Sequence, residues 1–533
     1  LEIKPIKSTL KFKRIVPEKG FERRLVSTSL PLCFTDVTPP RADPSHASSY
    51  AGGVLKRIGF QPDPMARKIR RKFQRFVRLW LRKNIVPLKD HDVPSFETWL
   101  ENTPYTAGRK RQLADIWERF LRKPTKKNLR KVKSFIKDEA YEDFKYPRTI
   151  NSRVDVAKCA FGPICWAASK AVFSNPNFIK NIPVSERAKA IREKIFKQGE
   201  ECDSTDYTSY EAHFTADRMR LTTGQLFDHL FSGCSSPIRA TSDLMMDVLT
   251  SPSWFTTKLL SFVMEAVRCS GEMDTSLSNG FANSMTIEFL SAQHNNKVHY
   301  YVEGDDGIMR WAVRSRRPPD SAYKELGLTI KINSSTELSE LSFCGQVYDM
   351  DDLVVVTDIK EQLARMGWTN SRYTQSSEKT RLQLLRAKGF AMAYQYNGCP
   401  ILSTLGRRII ELTETVNVKQ SIINNWEPYK QELLTTAIAT LPEPLEPKAG
   451  TRLLVEKLYN IPVWKQLALE EQFAKIELGN HEFPLEAPKQ WSQYYENYHT
   501  TVPDRNPTWI QAKRKREYNQ YIKQFANLKN FQL

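Results

Sequence analysis

The runs Val298-His-Tyr-Tyr-Val-Glu303 and Gly307-Ile-Met-Arg-Trp311 both read as β-strand, and between them stand Gly304, Asp305 and Asp306. Asp-Gly between strand-like runs signals a tight antiparallel hairpin. Such a hairpin carries two adjacent carboxylates at its tip. Neighbouring carboxylates repel each other, and a divalent cation between them relieves the repulsion. An exposed acidic turn explains the pair equally well at this point. Partners elsewhere in the chain decide between the two.

A first group of partners lies upstream. Residues 196–214 contain Asp203, Asp206 and Glu211, with a strand expected to end near Asp206 and a turn or helix to begin near Thr208. Helix capping alone also accounts for Asp206. A second lies in Cys269-Ser270-Gly271-Glu-Met-Asp274-Thr275-Ser276-Leu-Ser-Asn279, a glycine-containing loop running into a helix. Its small polar side chains suit close approach to a sugar or base. Ordinary loop and cap chemistry explains Thr275 but not the whole run.

Cations supply the third group. Lys and Arg number 80 against 60 Asp and Glu in 533 residues, a net charge of +20. That excess points to a polyanionic partner, with nucleic acid ahead of an acidic membrane surface. Residues 64–89 form a basic helix with an apolar face, readable as a solvated surface or as a phosphate-facing one. Residues 131–139 and 146–153 read as a β-hairpin carrying Lys133, Lys137, Lys145, Arg148 and Arg153. So many cations on one hairpin suit an anion lying opposite, such as a triphosphate or an RNA backbone.

The remaining chain supplies a frame. Residues 39–53 read as a linker, Cys159 to Phe173 as a buried helix and Thr215 to Ala266 as mostly helical. Strands are expected at 328–332 and 341–348, and helices from about 358 onward. The tail interleaves Trp491, Tyr494, Tyr495, Tyr498 and Trp509 with a basic run at 513–516, a pattern that serves base stacking or core packing. The eight cysteines show no zinc spacing and read as free, mostly buried thiols in a reducing compartment. No run of about 18 apolar residues marks a membrane span, and no signal peptide is visible. The chain opens on Leu1 rather than Met, as a piece of a longer product or an expressed fragment would.

If the strands bearing Asp206 and Asp305 are neighbours, their carboxylates converge and can hold two Mg²⁺ (or Mn²⁺) ions about 4 Å apart. The chemistry such a pair supports is nucleotidyl transfer: activating a ribose 3′-hydroxyl and stabilising the charge on the departing pyrophosphate. Lys137 and Arg148 are candidates for holding the triphosphate.

These ordered motifs resemble those of the RNA-dependent RNA polymerases of positive-strand RNA viruses, nearest to the tombusvirus-like and nodavirus-like group. Asp206-x4-Glu211 resembles the first palm motif, although its second acid is usually Asp. Ser270-Gly271-x3-Thr275-x3-Asn279 resembles the second, Gly304-Asp305-Asp306 the third. The resemblance implies metal binding by Asp206, Asp305 and Asp306, with Asp305 the main ligand at the turn. It implies a general-acid role for Lys331 and recognition of the 2′-hydroxyl by Asn279. Lys133, Lys137, Arg148 and Arg153 match the nucleotide-entry motif, and Glu211, Ser270, Gly271 and Thr275 complete the expected nucleotide site. Tyr105, Gly108, Arg109, Lys110 and Arg111 resemble the template-guiding motif, and Phe343-Cys344-Gly345 the primer grip.

The implied architecture is α+β, a right-hand polymerase fold encircled by fingertips. It would place the N-terminal region and fingers at 1–199 and 221–265, the palm at 200–220 and 266–357, and the helical thumb at 358–533. Template and product RNA and NTPs are the implied partners. Other viral replicase proteins, and host membranes reached through them in the cytoplasm, complete the setting. A reverse transcriptase shares the two-metal chemistry, but Gly304 and Asn279 argue against it. A basic RNA-binding or packaging protein would explain the charge without needing Asp206, Asp305 and Asn279 together.

Overall fold

The computed structural model describes residues 7, 10–15, 27–34, 47–137, 139, 146–426 and 428–486. Lys145, the tail aromatics and the basic run at 513–516 lie outside the described residues. Helices and several sheets share the chain, and among the described residues no sheet closes into a barrel.

A four-stranded antiparallel sheet lies between the two largest apolar cores. Its strand order is Ile330–Ser335, Cys202–Tyr207, Asp306–Trp311, Val298–Glu303. Successive side chains on a strand point to opposite faces. Tyr301 and Ile308 therefore enter one core, shared with helices such as Glu378–Gln395 and Leu402–Leu412. Tyr300, Val302 and Met309 enter the other, shared with the helices Arg67–Asn84, Asp155–Phe173 and Thr275–Gln293. Burial on both faces explains why these strands read as continuous apolar and aromatic runs rather than as clean alternation.

A five-stranded sheet runs Lys11–Arg14, Leu260–Met264, Ser253–Thr256, Lys131–Ile136, Thr149–Arg153. The expected cationic hairpin is its edge pair, in the register Lys133 opposite Ser152. Helix covers most of 216–249 as expected, and the strands at 253–264 are the part of Thr215 to Ala266 that departs from that expectation. Their own sequence alternates, burying Ser253 and Phe255, then Leu260, Phe262 and Met264. Phe255 and Phe262 stack face to face with centroids 4.8 Å apart.

After residue 358 helices dominate, as expected, but two short strands interrupt them. Trp368–Asn370 pairs with Ser27–Ser29, and Gly479–His481 runs parallel to Leu32–Phe34. The N-terminal segment is thus hydrogen-bonded into the helical C-terminal region. All eight cysteines are unpaired as expected, and all but the half-buried Cys344 are buried. No helix among the described residues is long and apolar enough to cross a membrane.

One buried ion cluster fixes the loop that precedes the Thr275–Gln293 helix. Arg153 Nε lies 2.5 Å from Glu272, Arg268 Nη1 lies 2.5 Å from Asp274, and all four side chains are almost fully buried. Arg153 also donates to Ser253 Oγ at 3.1 Å. The cluster ties the five-stranded sheet to the loop before this helix.

Candidate active site

The hairpin forms as the sequence requires. Asp306 lies opposite Glu303, leaving Gly304 and Asp305 as a two-residue turn. Gly304 takes φ +59°, the left-handed conformation that glycine adopts at least cost. Asp306 is therefore the first residue of the returning strand rather than part of the tip.

Gly307 lies opposite Thr205 and Ile308 opposite Ser204, so Asp306 and Asp206 are the next residues along their strands, just beyond the paired register and nearer the turn. A Cβ at Gly307 would meet Thr205 Oγ1 at 2.6 Å, so glycine lets these two strands approach. On the other side of the same strand Lys331 lies opposite Asp206. Lys331 and Asp206 thus share one face of the sheet, with Asp306 at the adjoining strand end.

Charge crowding is visible in the carboxyl groups. Burial pushes Asp305 up to about 6, helped by the Glu211 and Asp206 carboxylates and opposed by the Arg148 guanidinium. Burial pushes Asp306 up to about 7, with Asp305, Asp206 and Glu303 adding repulsion and the Cys344 thiol opposing it through a hydrogen bond. Glu303 Oε2 is buried without a hydrogen-bond partner among the described residues.

Among the described residues no three His, Cys, Asp or Glu side chains are drawn together in a metal-holding arrangement. The donor set nonetheless suits a hard divalent cation, which takes carboxylate oxygens and removes like-charge repulsion. Asp206, Asp305 and Asp306 are the residues that would hold it.

The Thr275–Gln293 helix backs the hairpin. Asn283 is fully buried, and its Nδ2 donates to the carbonyl oxygens of Gly304, Asp305 and Asp306 at 3.3, 3.1 and 3.2 Å. Its Oδ1 accepts from Tyr207 Oη at 3.2 Å. One side chain therefore joins the Asp206 strand to the turn. Sequence reasoning missed this role, although Asn283 follows Asn279 by four residues and so shares its helix face. Asn279 is 5% exposed, and its Oδ1 has no hydrogen-bond partner among the described residues.

The loop residues are more structural than expected. Ser270 Oγ accepts from Asn151 N and donates to Thr149 O, Gly271 N donates to Asn151 O at 2.9 Å, and Thr275 Oγ1 donates to Cys269 O. They stitch the loop to the cationic hairpin. Asp203, the third upstream acid, is consumed by Arg314 at 2.8 Å and Ser334 at 2.6 Å.

The expected cations divide. Arg148 is the one whose charge reaches Asp305. It and Lys137 share the Glu139 carboxylate, at 2.7 and 3.2 Å. Lys133 is exposed on the outer face of its strand. Arg153 corrects the expectation: it is 5% exposed and bound to Glu272, so its charge faces the interior rather than a nucleotide.

In the upstream motif Gly108 and Arg111 are exposed, and Tyr105 is half-buried. Arg109 holds Asp155 in a bidentate pair at 2.6 and 3.0 Å, and Lys110 donates to Glu101 O. Phe343 is a second correction. It is 1% exposed in the core and cannot itself touch RNA. Cys344 and Gly345 form a two-residue turn with φ +55° and +72°, which aims the Cys344 thiol at Asp306.

A scan of protein-family models finds no match to this sequence, and a search of curated proteins finds no significant relative.

Proposed function

We propose that the chain is an RNA-directed RNA polymerase, copying a positive-strand viral genome by nucleotidyl transfer from NTPs to an RNA 3′-hydroxyl. The observation that carries the reading is the antiparallel pairing of the 202–207 and 306–311 strands, which brings their Asp206 and Asp306 ends together, with Asp305 in the turn that leads into Asp306. In a right-hand polymerase the four-stranded sheet would be the palm floor. The strands at 253–264, which join the 131–153 hairpin in one sheet, would belong to the fingers. The helices after 358 would form the thumb, and the N-terminal strands paired into them would close the ring.

Divalent cations, when bound, would lower the charge barrier to attack by the 3′-hydroxyl and to departure of pyrophosphate. The chain's own residues do the rest. Asp206, Asp305 and Asp306 concentrate carboxyl groups at one end of the two central strands. Arg148, with Lys137 and Lys133 on the same hairpin, attracts the triphosphate from the opposite side. Asn279 accepts a hydrogen bond from a ribose hydroxyl through its unpaired Oδ1. Lys331, across from Asp206, would give a proton to the leaving group in this reading. Template and product RNA and NTPs are the partners of this reading. Replicase proteins and host membranes in the cytoplasm are its setting.

The test is extension of a primed RNA template by the purified chain with NTPs and Mg²⁺ or Mn²⁺. Asp305→Ala should abolish synthesis while RNA binding persists. Normal synthesis by that variant would sink the assignment.

A further inference from the structure

The Arg67–Asn84 helix contains nine cations and no acid. It buries Phe73, Val77 and Leu81. Phe73 and Phe76 pack edge-on against Phe289 of the Thr275–Gln293 helix, and Trp80 against Phe281. Asn279 and Asn283 of that second helix face the hairpin. The cationic helix therefore lies on the side of the Thr275–Gln293 helix away from Asp305.

Arg67, Lys68, Arg71, Lys72, Arg75, Arg78, Arg82 and Lys83 are all exposed. The ninth cation, Arg70, is the one that finds an acidic partner among the described residues, Asp217 at 2.5 Å. At 3.6 residues per turn the eight exposed cations span an arc of about 160°, opposite the buried stripe, along a rod of about 27 Å. Like charges that close repel unless anions lie between them.

Beside this ridge runs a groove of about 1080 Å³. Phe76, Trp80, Asn175 and Ser291 line it. Leu79 and Val86, 52% and 82% exposed, line it too. The groove also holds Asp92 and Glu288. Lys83 of the ridge lines the groove as well, so the phosphate track and the groove adjoin.

We infer that this ridge and groove form a second binding surface for single-stranded RNA, separate from the hairpin, with phosphates on the cations and bases against Phe76 and Trp80. Base stacking on aromatics beside a basic track is how single strands are held without sequence preference. Five of the eight free cations are arginine, the side chain that meets phosphate with two parallel hydrogen bonds. Curvature selects RNA over a membrane. A flat lipid surface touches only the crest of a 160° arc (about half a turn of helix), whereas a flexible strand bends over both flanks. This surface goes beyond the polymerase reading, because it requires no nucleotide incorporation.

The experiment uses the full chain and fluorescent single-stranded RNA, with affinity measured across a salt series. The triple variant Arg75→Gln/Arg78→Gln/Arg82→Gln alters exposed positions only. It should bind about tenfold or more weakly, and its log–log salt slope should shrink by about 2, at roughly 0.7 per lost phosphate contact. Unchanged affinity and slope overturn the inference. Vesicles of phosphatidylserine and phosphatidylcholine form the second arm. Lost vesicle binding with intact RNA binding gives the surface to an anionic membrane and overturns it too. A third measurement needs no variant: 4-thiouridine RNA, irradiated on the wild-type chain, should crosslink within residues 67–88. Crosslinks confined to other segments overturn the inference. The same crosslink is expected from Asp305→Asn, so failure of the polymerase reading leaves a separate signature.

Discussion

The side-chain amide of Asn283 donates to the backbone carbonyl of Asp305 at 3.1 Å, from a helix that approaches the hairpin from behind. The same nitrogen serves the carbonyls on either side. The turn's position is thereby set by the helix as well as by its own strands. Asn283→Leu takes the donor from three carbonyls and the acceptor from Tyr207 Oη. Extension at saturating NTP should fall about 100-fold, because small misplacements of reacting groups cost that much. Thermal unfolding should show a loss of about 1–3 kcal/mol. A variant with full turnover would leave the amide without a positioning role.

Asp305 and Asp306 make stability depend on pH in a definite direction. Their folded values of about 6 and about 7 lie above the ordinary Asp value of 3.8. Their contribution is therefore fully present below about pH 4 and is lost as pH rises through 6 and 7. Metal-free protein should lose this part of its stability over that window. Added Mg²⁺ should raise the melting temperature more at about pH 8 than at about pH 5.5, since the cation replaces the lost protons. Asp305→Asn/Asp306→Asn should flatten both trends in a thermal-shift series.

Arg148 and Arg153 sit five residues apart and should fail in different ways. Arg148→Ala removes a cation within reach of Asp305. It should raise KM for NTP about tenfold, the worth of one charge-assisted bond. Arg153→Ala strips Glu272 of its nearest partner in the interior. Its mark should be a lowered melting temperature with KM little changed. Steady-state kinetics and calorimetry on the two variants separate these outcomes.

Glu272 neutralises Arg153 and sits beside Arg268, both buried. Glu272→Ala leaves that positive charge uncompensated, at a cost of about 3–5 kcal/mol. Denaturant unfolding should show it directly. A change below about 1 kcal/mol would mean that water reaches the cluster.

Local chemistry made much of this site readable before any coordinates. The Gly304 turn, the strand carrying Asp206 near its end and the helix opening at Thr275 are each set by nearby residues, through positive φ, strand propensity and a loop-to-helix start. The 253–264 strands were equally local in their alternation, but the helical stretches before them masked the change of period. Arg153 and Phe343 misled for a different reason. A cation on a hairpin and an aromatic before a turn look alike whether they face solvent or core, and alternation alone does not assign the face.

Which acids meet which partners was decided by tertiary structure. The sequence by itself determined a basic chain with a Gly-Asp-Asp hairpin, an upstream acid at a strand end and an asparagine-bearing helix. Only the sheet register set Asp306 beside Asp206 and Lys331 beyond it. Only helix packing brought Asn283 to the turn and sent Asp203 to Arg314 instead. The physical reason is range. Backbone conformation answers to neighbours within a few residues, while carboxyl burial and ion pairing depend on strands and helices about 100 residues apart in the chain, meeting at spacings of about 5–10 Å.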